Sequence, residues 1–260
     1  GPGSEGIPTD PEKNSVGIAA AEVLRRCGAD FGIELKIKKG IRPCSGIGSS
    51  GASAAGGAYV AHILCGEKLT PTEVVLCAAH AEDVTSGGFH ADNVAPCVLG
   101  GFTIIRSYEP FEVVTIEPPE NLGIVIAMPD VMVPTKEARS ILPHEVSVKD
   151  MVFHIGNAST MVYAMMKGDL GLIGRSVKDA FSEPARAALV PFLKEAESEA
   201  MSNGAIASFL GGSGPCIISF FNKNSHDGEH IAESIVKMYS EHEMKCDTWI
   251  TEPGSGCRRI

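Results

Sequence analysis

Residues 43–57 read PCSGIGSSGASAAGG, a run of Gly, Ser and Ala leading from a proline into a segment of helical composition. A glycine-rich turn that feeds a helix presents amide N–H groups without intrahelical partners, at the positive end of the helix macrodipole. Such a turn can hold an anion. Glycine lets the backbone approach closely, and Ser49 and Ser50 add hydroxyls able to cap the helix, touch phosphate or reach a metal. A tight turn ahead of a small-residue packing helix uses the same residues. GIGSSG (46–51) matches G-x-G-x-x-G in form, but Gly40 and Pro43 interrupt the approach. The segment after it reads as two helices, where a dinucleotide fold needs a second strand ending in an acid about 20 residues on. No Lys comes after the last Gly, so the loop is not a Walker A motif.

Two further stretches carry polar chemistry. AEDVTSGGFHADNVAP (81–96) crowds polar residues behind a helix, and such loops often carry function. Glu82 could hold Mg²⁺ together with a hydroxyl and phosphate oxygens, which is how that ion is usually bound. His90, Asp92 and Asn93 could read a small polar ligand, although a lone His is more commonly a solvated or turn-bonded side chain. With no second His at ligand spacing, a zinc site is not expected. GGSGP (211–215) lies between two apolar runs and reads on spacing alone as a hairpin turn.

The elements that must position these residues can be read from the pattern. SVGIAAAEVLRRC (15–27) predicts a helix stopped by Gly28, and IELKIKK (33–39) alternates as a strand does. A small-residue helix runs from the glycine loop to about Leu64. In TPTEVVLCAAHAED, Thr70, Pro71 and Glu73 stand at capping-box spacing. Residues 100–119 predict a hairpin turning near YEP, and LGIVIAMP (122–129) a buried strand. A mainly helical region over about 136–201 carries Arg139, Arg175 and Arg186. AIASFLGGSGPCIISFF predicts strand, turn, strand; GEHIAESIVKMYSEH a helix; KCDTWITE a closing strand. Strands and helices are segregated as much as alternated, so the fold class is α+β.

Composition narrows the function. A chain of 260 residues with 44% hydrophobic and 21% charged residues can build a substantial core. Its net charge of −10 argues against nucleic acid or an anionic membrane as partner. Eight cysteines without a C-x-x-C pair read as free thiols in a reducing, cytoplasmic setting. No apolar run of about 18 residues suggests a membrane span. GPGS at 1–4 resembles a protease-cleavage remnant.

PCSGIGSSGAS resembles the phosphate loop of the GHMP small-molecule kinases. GGFHADNVAP with GGF a few residues on resembles a segment of the homoserine kinase family within that superfamily. DPEKN (10–14), PTKEAR (134–139), EPAR (183–186) and GGSGP fit the same family in order, from about Glu5 to the end. The resemblance implies a GHMP kinase fold in two parts. The N-terminal ATP-binding domain, β-α-β-rich, would span 5–120, and a ferredoxin-like C-terminal domain 121–260. It implies transfer of phosphate from ATP, with Mg²⁺, to the side-chain hydroxyl of L-homoserine on the route to threonine, by a homodimer.

By the same resemblance, Gly46, Ile47, Gly48, Ser49 and Ser50 wrap the nucleotide phosphates. Ser50 and Glu82 sit at the Mg²⁺, and Asn14 and Pro43 lie by the adenine. Asn93, Arg139 and Arg186 bind homoserine, the arginines suiting its α-carboxylate. Thr135 and His90 line the pocket, and Gly212 and Ser213 help close it. Asn93, Arg139 and Thr135 are the expected catalytic residues. Several superfamily members place an Asp as base where this loop offers Asn93. Direct attack by the hydroxyl, with its proton passing to the phosphate, is therefore expected, and Asp92 as base is the competing reading.

The resemblance also leads one to expect a further segment of several dozen residues with an Asn-x-G-P-G-(F/Y)-D motif ahead of DPEKN. A chain that began at GPGS would lack the first strands of the N-terminal half. Two other functions use the same residues: a GHMP kinase for another small alcohol, such as mevalonate, shikimate or a sugar, and a non-catalytic nucleotide-binding homologue.

Overall fold

The computed structural model describes residues 6–260, apart from the side chains of Ser86 and Thr135; GPGS and Glu5 lie outside the described residues. The chain packs as two units. The first comprises residues up to 43, 48–116 and 254–260, and the second 44–47 and 117–253.

In the first unit, α1 (Ser15–Cys27) begins where the Asn14 side chain accepts the Val16 amide and ends at Gly28 in the left-handed region. Its buried residues, Val16, Ala19, Ala20 and Val23, fall at helical spacing on one face. Helix α2 (Ser49–Leu64) buries Gly51, Ala54, Ala55, Gly57, Ala58 and Ala61. These small residues let the two helices approach closely: a Cβ on Gly57 would stand 2.3 Å from the Val16 carbonyl oxygen. Helix α3 (Pro71–Ser86) starts with the complete Thr70/Glu73 capping box, each side chain bonding the other's backbone amide, a device worth about 1 kcal/mol. With α4 (Val94–Leu99) they enclose an alanine- and valine-rich core. Strands β1 (Phe102–Tyr108) and β2 (Phe111–Ile116) form the expected antiparallel hairpin. The C-terminal segment returns here, the Gly101 amide bonding the Gly254 carbonyl.

One element departs from expectation. Residues 33–39 keep their alternation only at the start, with Ile33 and Leu35 packed against the core and Ile37 exposed, and they pair with no strand among the described residues. Alternation reports a half-buried extended segment; a strand also requires a neighbour offering backbone groups.

In the second unit, β3 (Leu122–Pro129), β4 (Ala207–Leu210), β5 (Ile217–Asn222) and β6 (Cys246–Thr251) form an antiparallel sheet in the order β4-β5-β3-β6. Between β3 and β4 lie α5 (Thr135–Ser140), α6 (Val148–Lys167), α7 (Leu170–Ser176), α8 (Ser182–Arg186) and α9 (Leu193–Ser202); α10 (Glu229–Glu241) joins β5 to β6. Val125, Ala127, Ile217 and Phe221 face the core that α9 and α10 complete with Leu193, Ala196, Ile231, Ile235 and Tyr239. No helix among the described residues is long and apolar enough to cross a membrane.

Candidate active site

The glycine loop alternates into the left-handed region, with φ of 54° at Cys44, 81° at Gly46 and 70° at Gly48. Gly48 is the N-cap of α2 and supplies no side-chain cap. The amides of residues 46–51 donate to no partner among the described residues, leaving a row of N–H groups at the positive end of a 16-residue helix. The Ser45 hydroxyl is buried and without a partner among the described residues, a further unsatisfied donor beside this row. This arrangement suits a polyanion.

Three contacts in the first unit define the start of α2. The Ser50 hydroxyl donates to Glu82 Oε1 at 2.6 Å, bringing together the two residues expected at the metal. Both offer hard oxygen, and a hydroxyl plus one carboxylate, completed by phosphate oxygens and water, is a set that fits Mg²⁺. Asn93 lies against the loop: a Cβ on Gly48 would stand 2.9 Å from its Oδ1, and one on Gly51 2.9 Å from its Cβ. The Ser49 hydroxyl is buried and donates to the Ile41 carbonyl at 2.8 Å, so it fixes the loop rather than facing a ligand.

Lys39 was not legible as a site residue, because in KIKKG it reads as one of several strand charges. Its ammonium donates to the Ser49 carbonyl at 3.0 Å and to Ser53 Oγ at 2.7 Å. Burial pushes its pKa below the ordinary lysine value, and Glu82 opposes that shift. A charged amine is thereby held at the first turn of α2. The adjacent serines at helical spacing were the available signal.

In the second unit, the 44–47 segment stacks backbone to backbone on GGSGP. A Cβ on Gly46 would meet the Gly211 carbonyl oxygen at 2.5 Å, and one on Gly212 the Gly46 carbonyl oxygen at 2.7 Å. Arg186 reaches the same turn, its Nη1 donating to the Gly212 carbonyl at 3.0 Å and its Nε to the Ala138 carbonyl at 3.0 Å. Those two bonds, at Nε and Nη1, fix the plane of the guanidinium, whose remaining N–H groups can serve a ligand. Burial pushes the Arg186 pKa down; Asp179 opposes this, and the cation of Arg139 adds to it. Two guanidinium groups that repel each other are poised for an anion.

Other expected site residues are placed differently. Asn14 is buried, its Oδ1 capping α1 and its Nδ2 donating to the Pro8 carbonyl at 2.6 Å, so its amide is engaged by backbone. The His90 ring folds back over Gly88, where a Cβ would stand 2.6 Å from Nε2. Pro43 and Arg139 are exposed and Ile47 half-buried. Thr135 opens α5, and its side chain lies outside the described residues.

Comparison with known proteins agrees with this architecture. Residues 14–101 match the family model for the GHMP kinases N terminal domain, and residues 161–241 that for GHMP kinases C terminal. A homoserine kinase of Methanococcus maripaludis is 40% identical over 98% of this chain and 81% of its own length. One of Pyrococcus horikoshii is 37% identical over 98% of this chain and 85% of its own. The crystal structure of a homoserine kinase from Cytophaga hutchinsonii superposes with a TM-score of 0.92 at 35% identity, covering 98% of this chain and 81% of that one. A fold built around an amide-lined turn, and relatives this similar over nearly the whole chain, place it: the chain belongs to the homoserine kinase family of the GHMP kinases.

Proposed function

We propose that the chain transfers the γ-phosphoryl group of ATP to the side-chain hydroxyl of L-homoserine, giving ADP and O-phospho-L-homoserine for threonine biosynthesis. The observation that carries this reading is the Ser50–Glu82 pair at the amide-lined start of α2. The homoserine kinase names of the relatives supply the acceptor.

The phosphates lie along the amides of Gly46, Ile47, Gly48, Ser49 and Ser50, within the ATP-binding domain of residues 5–120, with Pro43 and the chain fixed by Asn14 near the adenine. Ser50 and Glu82 hold Mg²⁺, which when bound offsets the charge of the phosphate oxygens. Arg139 and Arg186 orient the homoserine carboxylate; Asn93, Thr135 and His90 position the rest of the acceptor, and Gly212 shapes the wall. The acceptor hydroxyl attacks the γ-phosphorus as the bond to the β-phosphate oxygen breaks, and its proton passes to the transferred phosphate. Asn93, being an amide, orients that hydroxyl without removing its proton. Alignment and charge neutralisation supply the rate in this class of reaction.

The eight free cysteines agree with a cytoplasmic enzyme, and the apolar outer face of α6 with a homodimer. ADP release from Mg·ATP with and without L-homoserine tests the proposal. Homoserine-dependent release is expected, and folded protein that binds ATP without it would refute the reading.

A further inference from the structure

Helix α8 is five residues long, too short to hold itself in place. Its first turn is tied down by Asp179, whose Oδ1 accepts the amides of Phe181 at 2.8 Å and Ser182 at 2.7 Å and whose Oδ2 accepts that of Glu183 at 3.2 Å. His154 backs this start: its Nε2 accepts the Ala180 amide at 2.9 Å, and its ring lies 4.4 Å from that of Phe181. These contacts fix where α8 begins but not the direction in which it carries Arg186.

Glu183 supplies the direction. It stands three residues before Arg186, so both side chains leave one face of the helix. Strand β4 lies at the edge of its sheet, and edge strands present amides that no ladder partner receives. The amide of its last residue, Leu210, donates to Glu183 Oε2 at 2.9 Å, while Arg186 Nη1 donates to the Gly212 carbonyl at 3.0 Å. Helix α8 therefore grips the strand end and the GGSGP turn at two points, one accepting and one donating. The turn itself does not need this grip, because the Gly211 amide bonds the Cys216 carbonyl at 2.8 Å and the Gly214 amide the Gly211 carbonyl at 2.9 Å. What Glu183 holds is the helix. Its Oε1 takes the Lys194 ammonium, which also donates to Glu197 Oε2 at 2.8 Å. The carboxylate is thereby braced against α9, with its side chain only 16% exposed.

We infer that Glu183 is a positioning residue for acceptor binding: by taking the Leu210 amide it sets α8 so that the Arg186 guanidinium stands at the homoserine carboxylate. Glu183 touches neither substrate and acts through Arg186. The inference rests on the homoserine reading of the site.

The test is steady-state kinetics of the full chain, with far-UV circular dichroism on each variant. Glu183→Ala is expected to raise KM for homoserine by about tenfold while KM for ATP stays within about twofold. Glu183→Gln keeps an oxygen for the Leu210 amide and should hold KM for homoserine within about threefold of the parent chain. In an Arg186→Ala background, Glu183→Ala should change kcat/KM for homoserine by less than about twofold, because the group it positions is gone. Should Glu183→Ala not fold, Glu183→Asp, which draws the carboxylate back from Leu210 by one methylene, takes its place in both measurements. An unmoved homoserine KM in the folded variant, failure of Glu183→Gln to restore it, or effects at 183 and 186 that multiply would each overturn the inference alone. A parent chain without homoserine-dependent ADP release would overturn the homoserine reading and this inference with it.

Discussion

The Ser50 hydroxyl and the Glu82 carboxylate meet at 2.6 Å although 32 residues separate them. The contact sets a carboxylate beside the free amides of α2, where the phosphates of ATP would add more negative charge. Such a pairing makes sense once a divalent cation shares it. Glu82→Gln keeps the hydrogen bond to Ser50 and removes the charge. The expected result is a kcat lower by about 100-fold or more with an unchanged melting temperature, measured by ADP release and thermal unfolding.

Gly46 has no room for a side chain, since its φ is 81° and a Cβ would stand 2.5 Å from the Gly211 carbonyl oxygen. Gly46→Ala should destabilise the chain by about 1–3 kcal/mol and weaken ATP binding. Gly56 offers the contrast: it lies within α2 and a Cβ there meets nothing within 4 Å. Gly56→Ala should stabilise by about 0.5–1 kcal/mol. Urea unfolding of both variants checks the opposite signs.

Most of the first unit was legible because its signals are local. Gly28, Thr70, Pro71 and Glu73 each act on backbone within a few residues, and the helices they bound appear where expected, whereas Asn14, expected only beside the adenine, caps α1. Residues 33–39 were misread because pairing depends on a partner elsewhere in the chain. The roles of Lys39 and Ser49 escaped for a related reason. Their contacts, to Ser53 and to the Ile41 carbonyl, cross a turn whose conformation no spacing rule supplies. Asn93 against Gly48 joins two motifs that the sequence marks separately without showing that they touch.

Arg186 is held at both Nε and Nη1 by backbone carbonyls. Lysine can reproduce neither the plane nor the second bond. Arg186→Lys should raise KM for homoserine by about 10–100-fold while KM for ATP changes little. Steady-state kinetics with each substrate varied in turn makes the separation.

Asp92 is the carboxylate beside Asn93 in sequence, and it is exposed. If the acceptor proton passes to phosphate, Asp92→Asn should retain kcat within about tenfold, whereas loss of a general base would cost about 10²–10⁴-fold. Single-turnover rates with bound homoserine distinguish the two.

Glu22 accepts Arg25 Nε at 2.7 Å, Arg25 Nη2 at 2.8 Å and Arg26 Nε at 2.7 Å. The Arg25 hydrogen bonds hold its pKa down from the ordinary 4.5 to about 2. A depressed carboxylate stabilises the fold fully above its unfolded value and loses that contribution as pH falls from 4.5 towards 2. Allowing for solvent screening at the arginines, the contribution is about 1–2 kcal/mol. Glu22→Gln should therefore be less stable than the parent chain by that amount near neutrality, and the difference should shrink as pH falls from 4.5 and vanish only below about 2. Denaturant titrations across the acid range measure it.

The most direct test of the central claim is kcat/KM for L-homoserine beside mevalonate, shikimate and galactose, with the phosphorylated product identified by phosphorus NMR. The account predicts O-phospho-L-homoserine, formed with ADP in equal amounts, and a specificity constant for homoserine exceeding the others by about 100-fold or more. Preferential phosphorylation of another alcohol, or Mg·ATP binding by folded protein with no acceptor-dependent ADP, would contradict it.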